Sequence, residues 1–328
     1  MAKVLITGAT GFLGEYLVKQ FIKDNEVYAL GRNADKGELL SSLGAVFCKG
    51  DFTNKAECSR YFKDIDYVIH AGALSTVWGA WEDFYNANIQ GTRNVCELCL
   101  ENNVKRIVYV SSPSVYSEKR DRYDIKEDDF DKNNELNFYI KSKIASEEVL
   151  KEYREKGLYT VVIRPRGLIG VGDTSLVPRI LHANNKIGIP LLNKGVNYVD
   201  ITCVENVAYA CDLCTTSDNI NGEVFNITNG EPREFKGILE EFLQSIGESP
   251  NYLRIPFGII YGAASLIEFI YKLFNITKEP VFTKYTVCTL GFSQTLDISK
   301  AEELLKYKPI KTISEEIKEY GEWWKNNK

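Results

Sequence analysis

The chain has 328 residues, 44% hydrophobic and 26% charged, which supplies apolar material for one large α/β unit with a smaller lobe or for two modest domains. A net charge of −5 argues against a general nucleic-acid binder, which needs a basic face. The opening Met1-Ala2-Lys3-Val4-Leu5-Ile6-Thr7-Gly8 is too short an apolar run for a secretory leader, so a cytoplasmic location with eight reduced cysteines is expected.

The first strand pattern, 3–7, is nearly continuous in apolar residues, as a strand buried on both faces must be. It runs into Gly8-Ala9-Thr10-Gly11-Phe12-Leu13-Gly14, directly before a helical pattern over 12–23. Glycines so spaced allow a tight turn and let backbone N–H groups approach a pyrophosphate, and the helix N-terminus favours the anion. Strand, loop and helix in succession point to dinucleotide binding. The second pattern, 26–31, ends in Gly31-Arg32-Asn33. NAD-preferring folds place a carboxylate there for the ribose 2′-hydroxyl; Arg32, assisted by Asn33, suits the 2′-phosphate of NADP instead. NADP is therefore the preferred cofactor, with NAD second. The third run, 45–48, leads to Gly50-Asp51-Phe52, placing Asp51 to accept from the adenine amine with Phe52 packing nearby. The fourth, 67–70, leads to Ala71-Gly72-Ala73, small enough for a cofactor to lie against the backbone.

Helical patterns over 54–62 and 83–102 follow, then a fifth strand run, 106–111, ending in Ser111-Ser112-Pro113. A helical pattern over 136–156 opens with Tyr139-Ile140-Lys141-Ser142-Lys143, whose Tyr139 and Lys143 share one helix face. The acidic stretch 126–131 is expected as a solvated loop. A sixth strand run, 159–164, completes alternating units that imply a Rossmann-type doubly wound parallel α/β sheet. The pattern loosens beyond Arg164-Pro165. Residues 1–165 are expected to form the cofactor-binding domain, and 166–328 a smaller substrate-binding lobe with some segments returning to the main sheet. The segment 256–274 is mostly apolar but carries Glu268 and Lys272. It is expected as a buried or amphipathic helix, with peripheral contact to a membrane or a greasy substrate as the alternative. Cys96/Cys99 and Cys211/Cys214 are spaced C-x-x-C inside helical patterns, which reads as small buried side chains. With two histidines in the chain, no metal site is expected.

In order and spacing, the glycine loop, Asp51, Asn88-Ile89-Gln90-Gly91-Thr92, Ser111-Ser112, Tyr139-x-x-x-Lys143 and Arg164-Pro165 with Gly170-Val171-Gly172-Asp173 resemble the extended short-chain dehydrogenase/reductases. Val171 stands where that family usually has proline. The resemblance implies Ser112, Tyr139 and Lys143 as the catalytic group. Tyr139 would be the acid in ketone reduction or the base in alcohol oxidation, Lys143 would lower its pKa and hold the nicotinamide ribose, and Ser112 would stabilise charge on the substrate oxygen. It further implies support of the active-site backbone by Asn88, cofactor contacts from Ser111, Pro165, Gly167 and Leu168, substrate contacts from Pro113 and Arg166, and a homodimer paired partly through the Tyr-Lys helix.

Within the family, Val77-Trp78-Gly79-Ala80-Trp81 is similar to the 3β-hydroxysteroid dehydrogenase-like branch, especially its bacterial 2-alkyl-3-oxoalkanoate reductases. Asn197-Tyr198-Val199-Asp200-Ile201-Thr202 and Lys278-Glu279-Pro280 fit the same branch. Trp78 and Trp81 are candidates for the wall of a hydrophobic substrate site. Arg179, Arg233 and Arg254 are the only arginines between 174 and 328, few for a lobe that binds a pyrophosphate-bearing sugar. The expected activity is ketone–alcohol interconversion on a β-keto or β-hydroxy acid or a sterol-like substrate. Two other readings stay open: a sugar-nucleotide epimerase or dehydratase with tightly bound NAD, and a non-catalytic dinucleotide sensor.

Overall fold

The computed structural model describes residues 1–327. Seven parallel strands form the main sheet: β1 (Lys3–Thr7), β2 (Glu26–Gly31), β3 (Val46–Lys49), β4 (Tyr67–His70), β5 (Arg106–Val110), β6 (Thr160–Pro165) and β7 (Val224–Ile227). Their spatial order is β7-β6-β5-β4-β1-β2-β3. The order reverses between β1 and β4, and the crevice beyond their C-terminal ends is where such sheets bind ligands.

The described residues include ten helices of eight residues or more: α1 (Phe12–Phe21), α2 (Ala34–Ser42), α3 (Gly91–Glu101), α4 (Phe138–Glu155), α5 (Leu176–Lys186), α6 (Val204–Thr216), α7 (Phe235–Ser245), α8 (Phe257–Leu273), α9 (Lys284–Gly291) and α10 (Ile313–Asn326). Strand alternation sorts β1 onto two cores. Val4 and Ile6 pack with Leu17, Val18 and Phe21 of α1 and Val207 and Cys211 of α6. Leu5 packs on the other face with Val95 and Cys99 of α3 and Val149 and Leu150 of α4. Both C-x-x-C pairs are buried here, Cys96/Cys99 in the second core and Cys211/Cys214 in the first.

The chain crosses residue 165 in both directions. β7 returns from the C-terminal half to pair with β6, Val224 opposite Val162. In exchange, the strand Arg122–Ile125 joins Gln294–Leu296, Tyr198–Val199 and Arg233–Glu234 in a four-stranded sheet of the lobe. The lobe has its own core, where Ile169, Ile189, Ile238, Phe242, Ile317 and Tyr320 meet. Asp173 starts α5 by accepting the N–H groups of Ser175, Leu176 and Val177, which satisfies donors that a helix start leaves free.

One expectation changes. The stretch 126–131 is not wholly solvated: Glu127 is buried, its carboxylate accepts from Asn226 N–H at 2.9 Å and its carbonyl from Arg164. Helix α2, for which no element was expected, buries only Gly37 and Leu40. Helix α8 buries only Ile260, Ala264 and Glu268, while Ile259, Leu266, Phe269, Leu273 and Phe274 lie exposed. No helix among the described residues is long and apolar enough to cross a membrane.

Candidate active site

The glycine loop joins β1 to α1. Gly8 has φ +72°, and a Cβ there would lie 2.6 Å from the Gly72 Cα, so the loops after β1 and β4 touch backbone to backbone. A Cβ on Gly14 would lie 2.3 Å from the Gly8 carbonyl oxygen, so only glycine lets α1 start this close to the turn. The α1 N-cap, Gly11, has no side chain to cap the helix. Among the described residues, no partner reaches the N–H groups of Phe12, Leu13 and Gly14. Free N–H groups at a glycine-lined helix start fit a dinucleotide pyrophosphate.

Farther along the crevice, Arg32 is 80% exposed and meets Asp51 at 3.3 Å. Asp51 also accepts from the backbone and hydroxyl of Thr53, which ties down its loop. Asn33 is occupied as the N-cap of α2, accepting from Lys36 N–H at 3.0 Å. The Phe52 ring is wedged between Gly72 and Gly91, where a Cβ would come within 2.5 and 2.6 Å of it. It packs edge-on against His70, so its observed contacts serve the protein interior. Ala71 and Ala73 flank Gly72 at the end of β4, and Leu168 begins the short strand Leu168–Ile169 just past Pro165 and Gly167.

Ser112, Tyr139 and Lys143 converge from β5 and α4. Asn137 caps α4 by accepting from Ile140 N–H at 2.8 Å, which sets the first turn bearing Tyr139. Burial pushes the Tyr139 phenol up to about 12, and Ser112 pulls it back. Ser112 Oγ accepts from Ser114 N–H at 3.2 Å, leaving its own proton free to donate. Pro113 is buried at the first position of the turn that follows. Lys143 is buried; its Nζ donates to Tyr109 Oη at 3.0 Å and to the Val110 carbonyl at 2.9 Å. An ammonium has three donors, so one remains for a ligand. Burial holds Lys143 down at about 7, against the pull of Glu147.

Buried polar contacts fix this geometry. Asn88 lies in a π-helical turn, Tyr85–Gln90, that leads into α3. Its side chain bonds both backbone groups of Leu74, at 2.7 and 3.0 Å, and donates to Ser142 Oγ at 2.9 Å. The loop after β4 is thereby tied to α4. Glu147, one turn beyond Lys143, accepts from Ser111 and from the fully buried Arg164, whose Nη2 is 2.5 Å away. His70 shares hydrogen bonds with Thr7 and Thr92, and burial pushes it down to about 3, so it stays neutral.

The two tryptophans part company. Trp78 donates to the Ile276 carbonyl at 2.9 Å and packs on Tyr271, joining the β4 loop to the exposed end of α8. Trp81 packs on Phe138 and under Lys141, at the start of α4. Arg166 is buried directly after β6. Tyr109, Glu147, Asp200 and Tyr285 were given no role from the sequence. Asp200 lies inside the stretch 197–202, whereas the other three belong to no local motif; Tyr285 lies on α9, yet it is near enough to influence both Tyr139 and Arg166.

Residues 4–228 match the NAD dependent epimerase/dehydratase family. The chain belongs to that family. The Escherichia coli K12 protein YbjS is 33% identical over 99% of this chain and 98% of its own length. The 2-alkyl-3-oxoalkanoate reductase of Shewanella oneidensis is 28% identical over 97% of this chain and 85% of the relative. The mouse sterol-4-alpha-carboxylate 3-dehydrogenase, decarboxylating, is 29% identical over 96% and 89%. Among solved structures, UDP-glucuronic acid 4-epimerase from Bacillus cereus in complex with NAD superposes with a TM-score of 0.78 at 21% identity, covering 99% of both chains. That likeness shows the family's Rossmann-like α/β fold.

An amine whose folded pKa lies below its unfolded value binds fewer protons when folded, so its penalty is greatest at low pH and fades as pH rises. For cofactor-free protein in urea, the stability of the wild type relative to Lys143→Met should rise by about 3–5 kcal/mol between pH 7 and 10.5. A flat difference across that window would mean the amine titrates normally.

Proposed function

We propose that this family member is an NAD(P)-dependent dehydrogenase/reductase that interconverts a ketone and a secondary alcohol on a hydrophobic substrate. The observation that carries the reading is that Ser112, Tyr139 and Lys143 gather at the end of β5, on the same C-terminal edge of the parallel sheet as the glycine loop after β1. Residues 1–165 would carry the cofactor and 166–328 most of the substrate site. The free N–H groups of α1, with Asp51 and Lys143, would hold the dinucleotide. A bound nicotinamide supplies or accepts the hydride. Tyr139, protonated at neutral pH, delivers its proton to the ketone oxygen, and Ser112 donates a hydrogen bond to that oxygen as charge develops. In oxidation Tyr139 takes the proton, and the Lys143 ammonium makes that easier by favouring the phenolate.

Two of the three named relatives act on substrates whose names place the oxygen-bearing carbon two bonds from a carboxylate carbon: 3-oxoalkanoates, and sterols carboxylated at C4 and oxidised at C3. A β-keto or β-hydroxy acid is the substrate class carried over to this chain. Sugar-nucleotide epimerisation is the second reading, suggested by the fold neighbours. It is disfavoured because two of the lobe's three arginines beyond 174 are engaged elsewhere, Arg179 with Glu279 and Arg233 with Glu241, while Arg254 is exposed. The exposed apolar face of α8, beside the exposed Lys272 and Lys278, would rest on an anionic membrane surface and receive greasy substrate there.

NADPH oxidation at 340 nm with long-chain 2-alkyl-3-keto acids should proceed in the wild type and fall by about 10²–10⁴-fold in Tyr139→Phe; equal rates would remove the catalytic assignment. NADP preference rests on the exposed Arg32 and the lack of a carboxylate at Gly31. Arg32→Ala should cost about tenfold or more in kcat/KM with NADPH and leave NADH nearly unchanged; an unaltered NADPH/NADH ratio would assign NAD. Vesicles containing anionic phospholipid should co-sediment the wild type but not Phe269→Glu, and a wild type left in the supernatant would refute membrane docking.

A further inference from the structure

Four arginines are buried: Arg106, Arg122, Arg164 and Arg166. Three have partners. Arg106 donates to the carbonyls of Cys214 and Ser217. Arg122 meets Glu118 and Asp129, and Arg164 meets Glu147, Tyr116 and the Glu127 carbonyl. Arg166, 6% exposed, is the exception: among the described residues no hydrogen bond or ion pair reaches its guanidinium. A guanidinium that is largely buried and has no protein partner is costly, and a ligand that meets its charge would offset that cost.

The backbone aims Arg166 at this place. Its N–H donates to the Ile227 carbonyl at 3.1 Å, its carbonyl accepts from Thr202, and Gly167 then turns the chain at φ +45°. Asp200 is close enough to be felt by Arg166 but is committed elsewhere, accepting from Leu296 N–H at 2.7 Å and from Thr228. β5 and β6 are adjacent parallel strands with Val110 opposite Ile163, so the chain leaves β6 into Arg166 beside the place where it leaves β5 into Ser112; Tyr285 of α9 is near enough to influence both Arg166 and Tyr139.

We propose that Arg166 is the carboxylate receptor of the substrate cleft, pairing with an acid group two bonds from the carbon that exchanges hydride. The inference rests on the ketone–alcohol reading of the site. A planar guanidinium pairs with a carboxylate through two parallel N–H···O bonds, which fixes orientation as well as charge. Ester or decarboxylated analogues would leave the donors buried and unmet, so the site selects acids by rejecting neutral compounds.

The test is calorimetric titration of the NADP-loaded protein with a long-chain 2-alkyl-3-hydroxy acid, its methyl ester and UDP-glucose. The acid should bind about a hundredfold more tightly than the ester. Arg166→Leu should bring the acid down to the ester, and Arg166→Lys should restore part of the difference. Should Arg166→Leu fail to fold, the wild-type ratio of acid to ester still decides. Equal affinity for acid and ester, no binding of either, a ratio that survives Arg166→Leu, or Arg166-dependent binding of UDP-glucose would each overturn the assignment. Turnover is read separately: acid that binds through Arg166 but reacts no faster than in Tyr139→Phe would defeat the oxidoreductase reading and leave the carboxylate receptor standing.

Discussion

The buried ion pair between Arg164 and Glu147 is the contact on which the site's geometry depends. Arg164 belongs to β6, Glu147 to α4, and Ser111, which also donates to Glu147, directly follows β5. One carboxylate thus locks together the helix that carries Tyr139 and Lys143, the strand that leads to Ser112, and the strand that leads to Arg166. Such a pair adds little net stability over an apolar core of the same shape, but removing one partner strands a charge at a cost of about 3–5 kcal/mol. Its worth lies in position: a helix sliding on leucines has several nearby minima, whereas a guanidinium–carboxylate fork has one.

The same burial sets the electrostatics. Lys143 is buried, donates to Tyr109 and to the Val110 carbonyl, acts on the neutral His70, and has the Glu147 carboxylate one turn away. Burial lowers the amine and raises the phenol, so near neutral pH in the cofactor-free protein the tyrosine is protonated while the lysine sits close to its midpoint. That is the protonation state an acid for ketone reduction needs. The reverse reaction requires additional positive charge near the phenol.

Much of the sheet and of the glycine loop was legible because their constraints are local. Strand runs such as Val4-Leu5-Ile6, the spacing of Gly8, Gly11 and Gly14, and the four-residue step from Tyr139 to Lys143 each encode one turn or one face. What escaped the reading was what depends on distant contacts. Helix α2 lacks an apolar stripe because it covers an edge of the sheet, with only Gly37 and Leu40 buried. Glu127, in a stretch that looks solvated, is buried by Asn226, 99 residues away. Tyr285 acts on the site from a different helix, and no pattern around it in the chain announces that. For α8 the apolar content was plain, but which side it presents to solvent depends on how little of it α9 and its neighbours cover.

The exchange of strands across residue 165 has a consequence for synthesis. β6 leaves the ribosome with one edge paired to β5 and the other open, and it stays so until Val224–Ile227 arrives some 60 residues later. Meanwhile Arg122–Ile125 waits even longer for Gln294–Leu296. Neither half can complete its sheet from its own residues. The nascent chain therefore carries an exposed apolar strand edge through much of translation, a period in which edge-to-edge association with other chains competes with correct closure. Late arrival of the last sheet partners couples the cofactor crevice and the substrate lobe into one cooperative folding event.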